Sequence, residues 1–105
     1  MIENASITEG CEILGTVRNS VLGENVRVME GAVVEDAVIM GDCIIHADAR
    51  VSYAIIDREV KICRGAVVGK PRNEAKGIAV IGEGVVIKEN GTVADGEIVS
   101  DKGGV

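Results

Sequence analysis

The segments Ser20-Val21-Leu22-Gly23, Ala37-Val38-Ile39-Met40 and Ala54-Ile55-Ile56-Asp57 stand 17 positions apart, and each sets a small residue before two aliphatics. In the units they open, aliphatics recur at steps of six, six and five: Leu22, Val28, Val34, then Ile39, Ile45, Val51, then Ile56, Ile62, Val68. A step of six is not helical, because a helix presents apolar residues at i, i+3, i+4 and i+7. A unit this short buries its apolar side only by stacking on copies of itself. The repeat therefore predicts an all-β fold of short strands wound into stacked coils, with successive coils pairing as parallel strands about 4.8 Å apart.

Each hexad reads as one inward aliphatic, a partner four positions on, and a turn between them. The partners are Val26, Ala32 and Val38, then Cys43, Ala49 and Ile55, then Val60 and Ala66. The turn position, i+3, holds Asn25, Gly31, Asp42, Asp48, Gly65, Gly84, Asn90 and Gly96, with Glu59 as the exception. Gly, Asn and Asp are the residues that tolerate a left-handed backbone. The five-residue side carries Ser20, Ala37 and Ala54 and lacks this signal. Two corners of each coil should thus look alike and the third should be tighter, giving a triangular prism with three strands in each of about five coils.

Read backward, the phase places a first coil on Ala5, Cys11 and Val17. That coil is degenerate, with Glu9 and Gly15 at partner positions and Leu14 at a turn. Read forward, the phase breaks after Val68. The stretch from Gly69 through Lys70, Pro71, Arg72, Asn73, Glu74, Ala75 and Lys76 to Gly77 has loop composition and holds the single proline. The pattern resumes at Ile81, Ile87 and Val93, and Ile98 closes a five-step. The last coil is weaker inside, because its partners after Val85 are Gly91 and Glu97. The expected organisation is a β-helix domain over 1–99 with an insertion at 69–77, then a flexible tail over 100–105. The first coil begins almost at residue 1, so its open strand edges are expected to lie against a preceding domain or another subunit.

A chain of 105 residues is one small domain. Tyr53 is its one aromatic residue, and a core of Val, Ile, Leu and Ala suits a narrow, regular interior. A net charge of −6 argues against nucleic acid and anionic membranes as partners, since both demand a basic footprint. No apolar run reaches the ~18 residues of a membrane span, and Met1-Ile2-Glu3-Asn4 does not open a signal peptide. Cys11, Cys43 and Cys63 are three in number and far apart, which fits thiols in a reducing cytoplasm better than disulfides or zinc. No metal and no cofactor is expected.

Aliphatic-x-x-x-small hexads in a triangular coil resemble the hexapeptide-repeat, left-handed β-helix families. A more specific likeness lies in Asn19-Ser20-Val21-Leu22-Gly23, Gly31-Ala32-Val33-Val34-Glu35-Asp36-Ala37-Val38-Ile39-Met40 and Ala54-Ile55-Ile56-Asp57. In this order and spacing they resemble the C-terminal domain of bacterial glucose-1-phosphate adenylyltransferase (ADP-glucose pyrophosphorylase), over roughly residues 14 to 93. The sequence departs from that pattern at Cys63-Arg64-Gly65, where the family often has proline before glycine, and at Ala37, where serine is common. The resemblance implies a left-handed coil. It also implies a parent enzyme that makes ADP-glucose and pyrophosphate from ATP and glucose 1-phosphate, for glycogen synthesis. The family's chemistry belongs to an N-terminal nucleotidyltransferase domain with a Gly-rich phosphate loop and metal-binding aspartates, and no position here matches it. No catalytic residue is therefore assigned. The role implied for this chain is assembly and allosteric control, with self-association or an N-terminal nucleotidyltransferase domain or subunit as partner and a sugar-phosphate or nucleotide as effector.

Lys70, Arg72 and Lys76 make a basic loop on an acidic domain, and phosphorylated effectors favour such cations; the alternative is a solvated insertion. Met29, Met40, Ile44 and Val86 lie beside inward positions and should point outward, which marks Met29, Met40 and Ile44 as interface candidates. His46, the single histidine, is the one candidate base for a rival reading, a small trimeric hexapeptide acyltransferase. Its place beside inward Ile45 fits an exposed turn residue better. A further rival is a purely structural assembly module.

Overall fold

Two extended residues and a turn are all that a hexad can hold, and the computed structural model, which describes residues 1–100, is built almost wholly of such strands. A leading strand β1 (Ile2–Glu3) is followed by a first coil of β2 (Ser6–Ile7), β3 (Glu12–Ile13) and β4 (Thr16–Arg18). The second coil is β5 (Val21–Leu22), β6 (Arg27–Val28) and β7 (Val33–Glu35), and the third is β8 (Val38–Ile39), β9 (Ile44–Ile45) and β10 (Arg50–Ser52). The fourth is β11 (Ala54–Ile56), β12 (Lys61–Ile62) and β13 (Val67–Gly69), and the fifth is β14 (Ala79–Ile81), β15 (Val86–Ile87) and β16 (Thr92–Val93). β17 (Ile98–Val99) trails. The tail expectation falls mostly on 101–105, which lie outside the described residues.

Equivalent strands stack into three parallel sheets: β1-β4-β7-β10-β13-β16, β2-β5-β8-β11-β14-β17 and β3-β6-β9-β12-β15. We call them the A, B and C faces. The all-β solenoid read from the repeat is thus the fold. Register follows the 17-residue period, with Leu22 opposite Ile39, Val28 opposite Ile45 and Val34 opposite Val51. Each coil therefore lays an aliphatic directly over its copy. Leu22, Val28, Val34, Ile45, Val51, Ile56, Ile62, Val68, Ile81, Ile87 and Val93 are all 0% exposed. The backbone polar groups of each coil are satisfied by the next, as in Arg27 N–H to Cys43 O and Ile44 N–H to Val60 O, both 3.0 Å. At the two alike corners the turn positions from the second coil on are left-handed at Asn25, Gly31, Asp42, Asp48, Gly65, Gly84 and Asn90, and Gly96 takes the same conformation at the third corner of the last coil. Glu59, the wrong residue type for the position, follows at φ +58°.

The third corner differs from the sequence reading. Asn19, Asp36 and Tyr53 take φ of +49°, +52° and +49° there, so the left-handed signal sits one residue before Ser20, Ala37 and Ala54. The turn comes one residue sooner on this side, and the inward partner follows it. Ser20, Ala37 and Ala54 are buried at 4%, 3% and 2%, whereas Val38 is 40% exposed and Ile55 half-exposed. The assignment of Val38 and Ile55 as inward partners is thereby corrected. At the last coil Val99 is inward and Ile98 is 72% exposed, because the chain takes a six-step from Val93 around Gly96 instead of the expected five-step.

The first coil is also out of the expected phase. Ile7 pairs with Leu22, Ile13 with Val28 and Ile2 with Val17, so the inward row runs through Ile7 and Ile13 rather than Ala5 and Cys11. Each of these pairs is 15 residues apart, two fewer than in later coils. The missing residues come out of the corner at Leu14-Gly15. Gly15 is buried there with its Cα turned onto the Ala32 and Met29 carbonyls, where any Cβ would collide. Ala5 and Cys11 fill partner positions instead, partly buried against the core.

Candidate functional site: the loop between the fourth and fifth coils

The insertion leaves the prism at Gly69, paired to Ser52, and returns at Ala79, paired to Ala54. The two ends of the loop are thus anchored on the residues that flank Tyr53, where the third coil passes into the fourth, which leaves 70–78 as a projection on the third corner. Pro71 organises it locally: its carbonyl accepts the N–H groups of Glu74 at 2.8 Å and Ala75 at 3.0 Å. The loop is then tied to the coil beyond. Asp95 Oδ2 accepts the Lys76 N–H at 2.7 Å, and Asp95 Oδ1 lies 4.0 Å from Lys70 Nζ. The Lys76 N–H, joined by the charges of Lys70 and Lys76, holds the Asp95 carboxyl below the usual carboxylate range.

The three loop cations do not converge on one point. Lys70 is turned to Asp95. Lys76 gives Asp95 its backbone rather than its ammonium. Arg72 lies over the Tyr53 ring, 6.0 Å from the centroid, a cation–π arrangement. Pro71, Arg72 and Asn73 form one wall of an open groove, and Glu35 and Asp36 form the other. Glu35 is already engaged, by Arg18 Nη2 at 3.0 Å and by Ser52 Oγ at 3.2 Å. Among the described residues no carboxylate lies within ion-pair distance of Arg72. Its planar guanidinium is therefore open to a bidentate anion, next to carboxylates that accept hydroxyl donors.

His46 is half-buried at the corner after β9, where its N–H bonds Ile62 O at 2.8 Å. Among the described residues no cluster of three or more His, Cys, Asp or Glu is placed to hold a metal. Cys43 is fully buried, donates to Asp57 O at 2.9 Å, and has its thiol pushed up to about 11 by burial. No helix of the described residues is long and apolar enough to cross a membrane.

Met29, Met40 and Ile44 do not share a face. Ile44 is half-exposed on the C face, Met29 sits at its far corner, and Met40, 39% exposed, borders the B face. The outward row of the B face is the apolar surface that sequence reasoning missed. Val21, Val38, Ile55, Val80 and Ile98 stand one above another in it. The sequence reading places Val38, Ile55 and Ile98 inward; the Asn19, Asp36, Tyr53 column of turn residues is the signal for the first two, and Gly96 is the signal for the third.

Residues 1–88 match the family described as GlmU-like, C-terminal hexapeptide. The chain is also similar to several glucose-1-phosphate adenylyltransferases. That of Acetivibrio thermocellus is 35% identical over 97 residues, covering 84% of this chain and 23% of the relative. That of Corynebacterium jeikeium is 42% identical over 94 residues, 81% of this chain and 23% of the relative. That of Desulfitobacterium hafniense is 33% identical over 101 residues, 93% of this chain and 25% of the relative. The chain thus spans about a quarter of the length of the curated relatives it matches. The hexad phase, the triangular stack and the match over 1–88 agree: the chain belongs to the GlmU-like C-terminal hexapeptide family.

Proposed function

We propose that this chain acts as the assembly and regulatory domain of a glucose-1-phosphate adenylyltransferase, with nucleotidyl transfer carried by a separate N-terminal domain. The observation that carries the reading is the pattern of coverage: relatives of that name match more than four-fifths of this chain with about a quarter of their own length. The coils agree with it, because inward ladders use nearly every described strand. In this reading the solenoid winds left-handed, the chain works in the cytoplasm, and its partners are the N-terminal domain and further copies of itself. The loop cations Lys70, Arg72 and Lys76 are the proposed contact for a phosphorylated effector, with Arg72 as the planar, bidentate member. Glu35 and Asp36 would accept hydroxyls of the same ligand.

Titration calorimetry of the chain against the isolated nucleotidyltransferase domain of the Corynebacterium jeikeium relative tests the reading. Saturable binding supports it, and no heat at any concentration contradicts it. Arg72→Ala should weaken the response to a sugar phosphate in the assembled enzyme without changing its basal rate. An unchanged response removes the loop from the proposal.

A further inference from the structure

We propose that the B face is the surface on which two copies of this chain dock, sheet against sheet. The inference rests on the assembly role proposed above and names the surface for it. The outward row of this face is Ser6, Val21, Val38, Ile55, Val80 and Ile98, in register from strand to strand. Five consecutive aliphatics therefore form an external ladder with no charge in it. Val21 is 49% exposed, Val38 40% and Ile98 72%, so among the described residues nothing covers these rungs.

The other two faces are built differently. The C face presents Glu12, Arg27, Ile44, Lys61 and Val86, with Glu12 and Arg27 paired at 3.0 Å. The A face presents Arg18 and Glu35 in one row and sets Arg50 among Thr16, Val33, Val67 and Thr92 in the other. Two copies, each with a net charge of −6, repel one another over most of their surfaces. The B face is the one side where they can meet without placing charge against charge along its centre.

A second copy also matches the ladder by construction. Its rungs have the same ~4.8 Å spacing, so two such faces pack as stacked sheets about 10 Å apart. Ile55 is the middle of the five aliphatic rungs: in an antiparallel pair it lies nearest the two-fold axis, and in a parallel pair it meets its own copy, as every rung does. Area sets the strength. Six strands about 4.8 Å apart and a side of about five residues give a face of roughly 24 by 16 Å. Two such faces remove on the order of 800 Å² in total, below the roughly 1,000 Å² of a stable interface and within the range of transient ones. The dimer is therefore weak and concentration-dependent, and linkage to further domains would raise its effective concentration.

Sedimentation equilibrium of the full chain from about 10 µM to about 1 mM brackets interfaces of this strength. The wild type should pass from monomer to dimer. Ile55→Glu should raise the dissociation constant roughly a hundredfold, because two carboxylates would be buried in the interface. Val86→Glu, which adds the same single charge on the C face, should change the constant far less than Ile55→Glu. If Ile55→Glu does not fold, the Val38→Thr, Val80→Thr double variant keeps branched strand formers and should still weaken association. A wild type that stays monomeric, or a dimer that survives folded Ile55→Glu, overturns the inference. So does a monomer whose B-face variants lose binding only to a nucleotidyltransferase domain, since the face then serves that domain. Any of these results leaves the domain reading standing, because that reading rests on the binding titration.

Discussion

Asp48 Oδ1 occupies the space that a Cβ on Gly31 would fill, one coil below. Gly31 is left-handed at φ +77° and Asp48 at +62°, so the corner stacks one turn residue on another. The same relation joins Gly10 to Asn25 and Gly65 to Asn90. Along the corner of Gly31, Asp48, Gly65 and Asn90 the alternation of glycine with Asn or Asp is therefore steric: a short polar side chain hooks over the coil beneath, and glycine leaves it room. Gly31→Ala should cost about 2–3 kcal/mol, from the clash together with the left-handed backbone. Adding Asp48→Gly should recover part of it by removing the clash. Urea denaturation of the single and double variants measures the coupling, and strictly additive losses would refute the steric account.

Ile45 is fully buried, with Val28 below it and Ile62 above in the same inward row. Ile45→Ala should lower stability by about 2–5 kcal/mol, because a stacked ladder collapses poorly around a gap. Ile45→Asp would bury an unpaired charge and should prevent folding. A cooperative thermal transition for Ile45→Asp near that of the wild type would show that the inward phase is wrong.

Tyr53 carries an aromatic ring at a left-handed corner where the coils below use Asn19 and Asp36. Backbone strain and the Arg72 contact oppose each other there, each worth about 1 kcal/mol. Tyr53→Asn should therefore leave the melting temperature nearly unchanged while amide exchange in 71–75 accelerates. Unchanged exchange in the loop would show that the ring does not hold it.

The Asp95 carboxyl titrates below its unfolded value, chiefly because it accepts the Lys76 N–H. Its contribution to holding the loop is complete above about pH 4, the ordinary carboxylate value, and is lost as the pH falls through the folded value. Protection of the 70–78 amides relative to their intrinsic exchange, and resistance to an acid protease, should fall on acidification below that point. Asp95→Asn should show the reduced protection at every pH. An acid-induced loosening that persists in Asp95→Asn would assign the effect to another group.

The middle coils were legible because three units repeat the period without interruption, and the register of Leu22 on Ile39 and of Val28 on Ile45 follows from counting alone. Counting failed where the chain changes length at a corner. At Leu14-Gly15 two residues are missing, so the 17-residue period pointed to Ala5 and Cys11 when Ile7 and Ile13 lie in the row. At the third corner the turn comes one residue early, and Val38 and Ile55 pass from inside to outside. A shift of one residue reverses the facing of a strand, so this small error hid the apolar face. The loop was legible as an interruption in the ladder. Its folding back onto Asp95 was not, because that contact joins residues almost 20 apart with no periodic signal between them.

Coils fill residues 1–100, and the proposed function puts nucleotidyl transfer on a separate domain. The most direct measurement is ADP-glucose formation from ATP and glucose 1-phosphate by the purified 105-residue chain, with magnesium supplied. The expected result is no product above the uncatalysed background at any concentration of the chain. Turnover that scales with the amount of protein and persists through repurification would contradict the account.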